Sequence, residues 1–206
     1  MCRKWVVFLK EQLIITIGRE FGSGGHFIAQ TIADKLGIEL LDKELLEQTV
    51  ISSGYSEDIL TKYDEKPKNV LLSRRIGNYS NSLEENVANK VFELIRAKAQ
   101  SGASFVVVGR CAEHVLRGNE NMLSFFICAN KEDKIKRITE LYQVSEAKAK
   151  DMMRETDKKR KTYHNYYSDI KWGSSLGYDI TINTSKLGIE KTADALIVYA
   201  KVFKNQ

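Results

Sequence analysis

Between Leu13 and Leu36 the chain passes from a buried-strand pattern through a cluster of glycines into an amphipathic helix, a succession that few folds accommodate. Leu13-Ile14-Ile15-Thr16-Ile17 is short, β-branched and almost continuously apolar, as a strand covered on both faces of a parallel sheet must be. Gly18, Gly22, Gly24 and Gly25 then interrupt the run. From His26 onward, Ile28, Ala29, Ile32, Ala33 and Leu36 form one helical stripe, and Gly37 follows as a stop. The spacing predicts a strand, a glycine loop and a helix, which is half of a βαβ unit.

The pattern continues along the chain. Ile38–Leu41 reads as a second strand ending at Asp42, and a helix is expected from Lys43 to about Ser52. Residues 53–80 are polar and irregular, contain the sole proline, Pro67, and the pair Arg74-Arg75, and read as a helical excursion from the core, not as sheet. A long helix follows from about Asn81 to Gln100. Phe105–Val108 is the strongest strand, and Leu123–Cys128 is another. A helix over Lys131–Tyr142 leads into a highly charged one capped by Ser145. Tyr178–Ile182 and Leu187–Phe203 are the last strand and helix. The expected fold class is α/β: a doubly wound, parallel, five-stranded sheet with helices on both faces. The expected organisation is a single domain over 1–206, with a helical insert over about 43–100 and a lid helix over about 145–170.

At 43% hydrophobic residues the chain buries a core without disulfide or metal staples. Cys2, Cys111 and Cys128 are far apart, without metal-ligand spacing, which fits a reducing compartment. The apolar run Trp5–Leu9 is cut short by Lys10 and Glu11, too soon for a secretory signal, and no stretch has the length of a membrane span. A cytoplasmic location without membrane contact is expected. A net charge of +5 suits a small anionic ligand better than a polynucleotide, because the aromatic residues do not interleave with the basic ones.

Arg19-Glu20-Phe21-Gly22-Ser23-Gly24-Gly25-His26 lies where backbone N–H groups gather at a helix N-terminus and the helix dipole favours an anion. The glycines let the backbone approach phosphate oxygens closely. The alternative is a plain flexible turn.

The run ITIGREFGSGGHFIAQTIADKLGIELLDKELL resembles the opening of bacterial cytidylate kinases and, more closely, of the cytidylate-kinase-like family. The likeness continues at Val106–Leu116, Asp151–Ser168 and Tyr178–Gly188, nearly the whole chain. The resemblance implies a P-loop nucleoside monophosphate kinase fold, small nucleotide ligands, and Mg²⁺ with ATP or another nucleoside triphosphate. There are departures. Gly25 stands where the true kinases carry the Walker lysine, Phe27 where they carry a hydroxyl residue, and Val108 where an acidic residue follows the third strand. The charge that acts on a transferring phosphoryl group must then come from elsewhere. Arg19 and His26 flank the loop as candidates. His26 is otherwise an exposed first-turn residue, and Arg19 otherwise pairs with Glu20 or another carboxylate.

By the same resemblance, Gly109-Arg110 matches a pair that helps to hold a monophosphate, a task suited to the bidentate guanidinium of Arg110. Cys111 stands where those kinases have an acid, which weakens the case for cytidine recognition. Asp42 is placed to meet the acceptor or, through water, a magnesium ion, and equally to cap the helix that follows. In the charged segment Arg154–Lys161, residues 154, 157, 158 and 161 share a helical face and Arg160 lies close to Asp157. The resemblance makes this a lid that brings Arg154 and Arg160 to the phosphoryl group, with Asp157 beside them; the alternative is a solvated face of ion pairs. Phosphate and nucleotide contacts are thus expected at Arg19, Gly22, Ser23, Gly24, Gly25, His26, Asp42, Arg110 and Asp157, with no assigned metal ligand. The two functional expectations are a phosphotransferase acting on a nucleoside monophosphate or other small acceptor, and a catalytically inactive nucleotide- or anion-binding protein.

Overall fold

A computed structural model describes residues 11–52, 75–76, 79–80 and 83–204 of the chain. Its centre is a five-stranded, all-parallel sheet of β1 (Ile14–Arg19), β2 (Glu39–Leu41), β5 (Phe105–Val108), β6 (Met122–Cys128) and β7 (Ile180–Asn183), in the order β2-β5-β1-β6-β7. β1 pairs with β5 from Ile14↔Phe105 to Ile17↔Val108 and with β6 from Ile14↔Met122 to Arg19↔Ile127. The middle strand is therefore also the one that feeds the glycine loop.

Side-chain alternation divides the core into two layers. Leu13, Ile15, Ile17, Val106 and Val108 pack under α1 (Gly25–Leu36) and α7 (Thr184–Lys204), where Ala193, Leu196 and Ala200 meet Ile28 and Ile32. Ile14, Phe105 and Val107 point the other way, to α3 (Leu83–Gln100), α4 (Ala112–Val115) and Leu46 of α2 (Lys43–Ser52). A strand buried on both faces has to be apolar at every position, which is why its sequence shows no alternation.

α5 (Lys131–Tyr142) and α6 (Glu146–Tyr167) pack on each other around Ile135, Ile138 and Ala149 at the carboxyl end of β6. Ser145 caps α6, its side chain accepting from Lys148 N at 3.3 Å. Helix α7 is kinked at Gly188, so its first turn is set apart from the rest. Most of the expected excursion over 53–80, Pro67 and Arg74 included, lies outside the described residues. Its described part differs from the expectation: β3 (Arg75–Ile76) and β4 (Tyr79–Ser80) form an antiparallel pair, so this stretch does hold sheet. The two strands are separated by Gly77-Asn78, a dipeptide with strong hairpin preference.

Candidate functional site

The chain leaves the sheet at Arg19, and Glu20 N still donates to Ile127 O at 3.0 Å. The next residues fold on themselves: Ser23 Oγ donates to Glu20 O at 2.8 Å, and Ser23 O accepts from Thr184 Oγ1 at 2.9 Å. Ser23 is fully buried, and its hydroxyl is committed to the shape of the loop. Gly24 then takes φ 87, a left-handed conformation that a side chain would strain, and a Cβ there would meet Ile189 Cδ1 at 2.7 Å. Helix α1 begins at Gly25 with no side-chain cap, and Ile28 N, bonded to Gly24 O at 3.0 Å, is the first amide to be satisfied. The amides of Gly25, His26 and Phe27 have no acceptor among the described residues, and they sit at the positive end of the helix dipole.

These amides face a cavity of about 220 Å³. Arg19, Arg137 and Arg160 all line it, so three guanidinium groups share the space in front of the helix. The sequence did not single out Arg137. It lies on α5 and donates Nη1 to Gly22 O. An apolar rim completes the cavity: Phe27, Leu141 and Tyr142 are each about half exposed there, and Phe21 stacks near Tyr142 with ring centroids 5.7 Å apart.

Gly25 has ordinary helical backbone, yet a Cβ at this position would stand 2.6 Å from Cβ and 3.0 Å from Cγ of Arg19. The stem of Arg19 fills the place from which a loop lysine would project. Its guanidinium continues to the end of β5, in contact with Gly109.

Helix α6 closes over the loop. Asp157 Oδ1 accepts from Phe21 N at 2.6 Å, and Arg160 donates to Arg19 O at 3.3 Å while its guanidinium lies 5.6 Å from the Phe21 ring centre. Behind them Lys134, almost wholly buried, pairs with Glu20 at 2.9 Å and lies 4.0 Å from Asp157. Burial raises the Asp157 pKa, and the Phe21 amide, Lys134 and Arg160 offset only part of this rise. One turn on, His164 Nε2 meets Glu113 Oε1 at 2.6 Å, both side chains being buried, and so ties α6 to α4.

A second, smaller cavity lies beside the first, across the ends of β1 and β5, and Arg19, Arg110, Glu113, Arg160, His164 and Tyr178 border it. Arg110 and Cys111 both hold left-handed backbone, φ 58 and 52, a strained turn that directs Arg110 to this edge. Arg19 and Arg160 border both cavities.

The other expected residues stand as follows. Gly22, Gly24, Gly25 and His26 line the first cavity. Asp42 caps α2, its Oδ1 accepting from Leu45 N at 3.0 Å, and borders neither cavity. Arg154 is exposed and pairs with Asp151 at 2.9 Å on the outer side of α6. No cluster of His, Cys, Asp or Glu suited to a metal occurs among the described residues, and no described helix is long and apolar enough to cross a membrane.

Comparison with known proteins agrees with this architecture. A crystal structure of an uncharacterised protein from Eubacterium ventriosum is 39% identical, covering 92% of this chain and 99% of that one, with a TM-score of 0.74. The shikimate kinase of Acinetobacter baumannii, solved with shikimate, shares the fold at 14% identity, with 97% of each chain covered and a TM-score of 0.51. The shikimate kinase of Bacteroides thetaiotaomicron does so at 12% identity, covering 92% of this chain and 98% of its own, with a TM-score of 0.53. No curated protein sequence matches the chain. The model of the cytidylate kinase-like family matches residues 14–186, from the first residue of β1 into the first turn of α7, and the chain belongs to that family.

Proposed function

We propose that the protein is a phosphotransferase that binds a nucleoside triphosphate at the glycine loop and passes its terminal phosphoryl group to a small anionic acceptor at the neighbouring edge of the sheet. One observation carries this reading: unsatisfied first-turn amides of α1 open into a cavity shared by Arg19, Arg137 and Arg160. The amides and Arg137 hold the β- and γ-phosphates, and the rim of Phe27, Leu141 and Tyr142 receives the base. Arg160, bordering both cavities, neutralises charge on the group in transit, while Arg19 and Arg110 hold the acceptor. Catalysis of this kind is positioning and electrostatic stabilisation, with little covalent work for the protein. Asp157 and Lys134 act through the loop by fixing Phe21 and Glu20. Mg²⁺ bound to the triphosphate would supply further neutralisation, with no acidic cluster among the described residues to hold it separately.

The competing reading, a nucleotide-binding protein without turnover, draws on the filled lysine position beside Gly25. Calorimetric titration with ATP–Mg²⁺, followed by an ADP-release assay over nucleotide and sugar-acid acceptors, separates the two. Binding should stabilise the fold by about 2.7 kcal/mol at one hundred times Kd. Arg137→Ala should weaken it about tenfold or more, the worth of a charge-assisted hydrogen bond. Absence of ATP binding sinks the proposal, and binding without ADP release over the whole panel selects the inactive alternative.

A further inference from the structure

Tyr178 lies between a short 3-10 turn (Ser175–Gly177) and β7, and is 8% exposed. Its ring packs 5.0 Å from that of Phe126, which in turn meets Trp172 edge-on at 5.3 Å. The hydroxyl reaches over the end of β1: a Cβ on Gly18 would stand 3.0 Å from Tyr178 Oη and 2.8 Å from Phe126 Cδ2. Gly18 is not in the left-handed region, so what demands glycine there is the room taken by these two rings.

This buried hydroxyl has no hydrogen-bond partner among the described residues. The Gly173 amide lies nearby and slightly favours the phenolate, but falls short of hydrogen-bond geometry. A buried polar group left unsatisfied is costly, and such groups in native proteins are filled by water or mark a place where something else binds. Tyr178 borders the smaller cavity of about 20 Å³, which has room for one oxygen-sized group. Burial, and next the charge of Glu113, push the phenol pKa upward, so the hydroxyl stays protonated and is a donor. Glu113 is already taken by His164. What the cavity lacks is an oxygen that accepts, and the guanidinium groups of Arg19, Arg110 and Arg160 at its border match the oxygens of a phosphate.

We infer that Tyr178 is a binding residue of the acceptor subsite, donating its hydroxyl to the one terminal oxygen of a phosphate monoester that enters this small cavity, the other oxygens meeting the arginines at its border. This deepens the phosphotransferase reading and rests on it for the acceptor's place beside the donor. Gly18 acts through Tyr178 by leaving its ring in position.

The test uses the full chain, its Tyr178→Phe variant, and three probes: inorganic phosphate, CMP and ATP–Mg²⁺. The substitution removes a hydroxyl that bonds nothing among the described residues, so the melting temperature should hold or rise. Affinity for CMP and phosphate should fall about tenfold or more, with ATP–Mg²⁺ affinity unchanged. Gly18→Ala, which displaces the ring from the other side, should lower the same two affinities. A lower melting temperature or failure of Tyr178→Phe to fold would make the hydroxyl structural and overturn the inference. So would a folded variant that binds CMP and phosphate normally, or a wild type that binds neither. Wild-type binding of ATP–Mg²⁺ without CMP or phosphate sinks this inference alone. Loss of CMP binding in Tyr178→Phe, with no ATP binding by the wild type, sinks the donor site and leaves the subsite standing.

Discussion

At Gly25 a familiar expectation reverses. From sequence, Gly25→Lys restores the ammonium that P-loop kinases use. In the fold, the first atom added at residue 25 collides with the Cβ and Cγ of Arg19, which cannot swing aside as a side-chain tip can. Gly25→Lys should therefore lower the melting temperature and weaken ATP–Mg²⁺ binding, while Gly25→Ala, carrying the same clash without the charge, should show the same loss of stability. Tighter binding by a fully stable lysine variant would contradict this packing. Asp157 gives a prediction of opposite character. Its folded pKa lies above the ordinary aspartate value of about 3.8, with burial the main cause. Between these values the folded state holds more protons than the unfolded one. The contribution is thus fully present below about 3.8 and is lost as pH rises through the folded pKa. Asp157→Asn keeps an oxygen for Phe21 N and cannot ionise, so urea denaturation across that window should show a stability curve without this decline. An unchanged pH slope would mean that the carboxyl is not desolvated. The glycines and Arg19 were visible from sequence because a loop between strand and helix concentrates them. Arg137 was not, since an arginine on a charged helix looks like any solvated one until α5 is packed against Gly22.

Helix α6 shows why the face of a charged helix has to be settled by packing. Asp157, Arg160 and His164, at i, i+3 and i+7, make the inward stripe through Phe21 N, Arg19 O and Glu113. Arg154 and Arg160 are six residues apart and so differ by about 120° around the axis, which prevents both from addressing one point. A sequence count that groups 154 with 157 and 158 is equally periodic, and only the apolar anchors at Ala149 and Tyr163 settle the choice. Arg154→Ala should leave stability within about 0.5 kcal/mol and nucleotide affinity unchanged. Arg160→Ala should cut affinity for ATP–Mg²⁺ about tenfold, as loss of a charge-assisted contact predicts. Equal effects in a side-by-side titration would show that the helix turns on ligand binding. The sheet strands were legible to within one or two residues at each end, because full burial leaves an unbroken apolar run. The pair of two-residue strands at 75–80 was not, because so short a run carries no period.

Across the whole molecule, the sheet places the uncapped N-terminus of α1 and the side chains of Arg19, Arg110, Arg137 and Arg160 at the same edge. The strand order makes this unavoidable. β1 is central, with β5 on one side and β6 on the other, so the loop after β1, the left-handed turn after β5 and α5 after β6 converge at their carboxyl ends. Order and convergence follow from right-handed crossovers between parallel strands, which the alternation of strand and helix in the sequence already implied. What it did not imply was the closeness of α6 to the loop, through Asp157 to Phe21 N and Arg160 to Arg19 O. That closeness supports one more test, by hydrogen exchange. The amides of Gly25, His26 and Phe27 have no acceptor among the described residues, whereas Phe21 N is bound to Asp157. In the free protein, peptides covering 25–27 should exchange fast although the helix they begin is buried along Ile28, Ala29 and Ile32. Addition of ATP–Mg²⁺ should slow them by about tenfold or more, because a phosphate oxygen then accepts from each amide and opening must break a charge-assisted bond. The amide of Phe21 should change little. Protection confined to α6 or α7, with 25–27 still exchanging fast, would place the triphosphate away from the loop and return the glycines to the role of a turn.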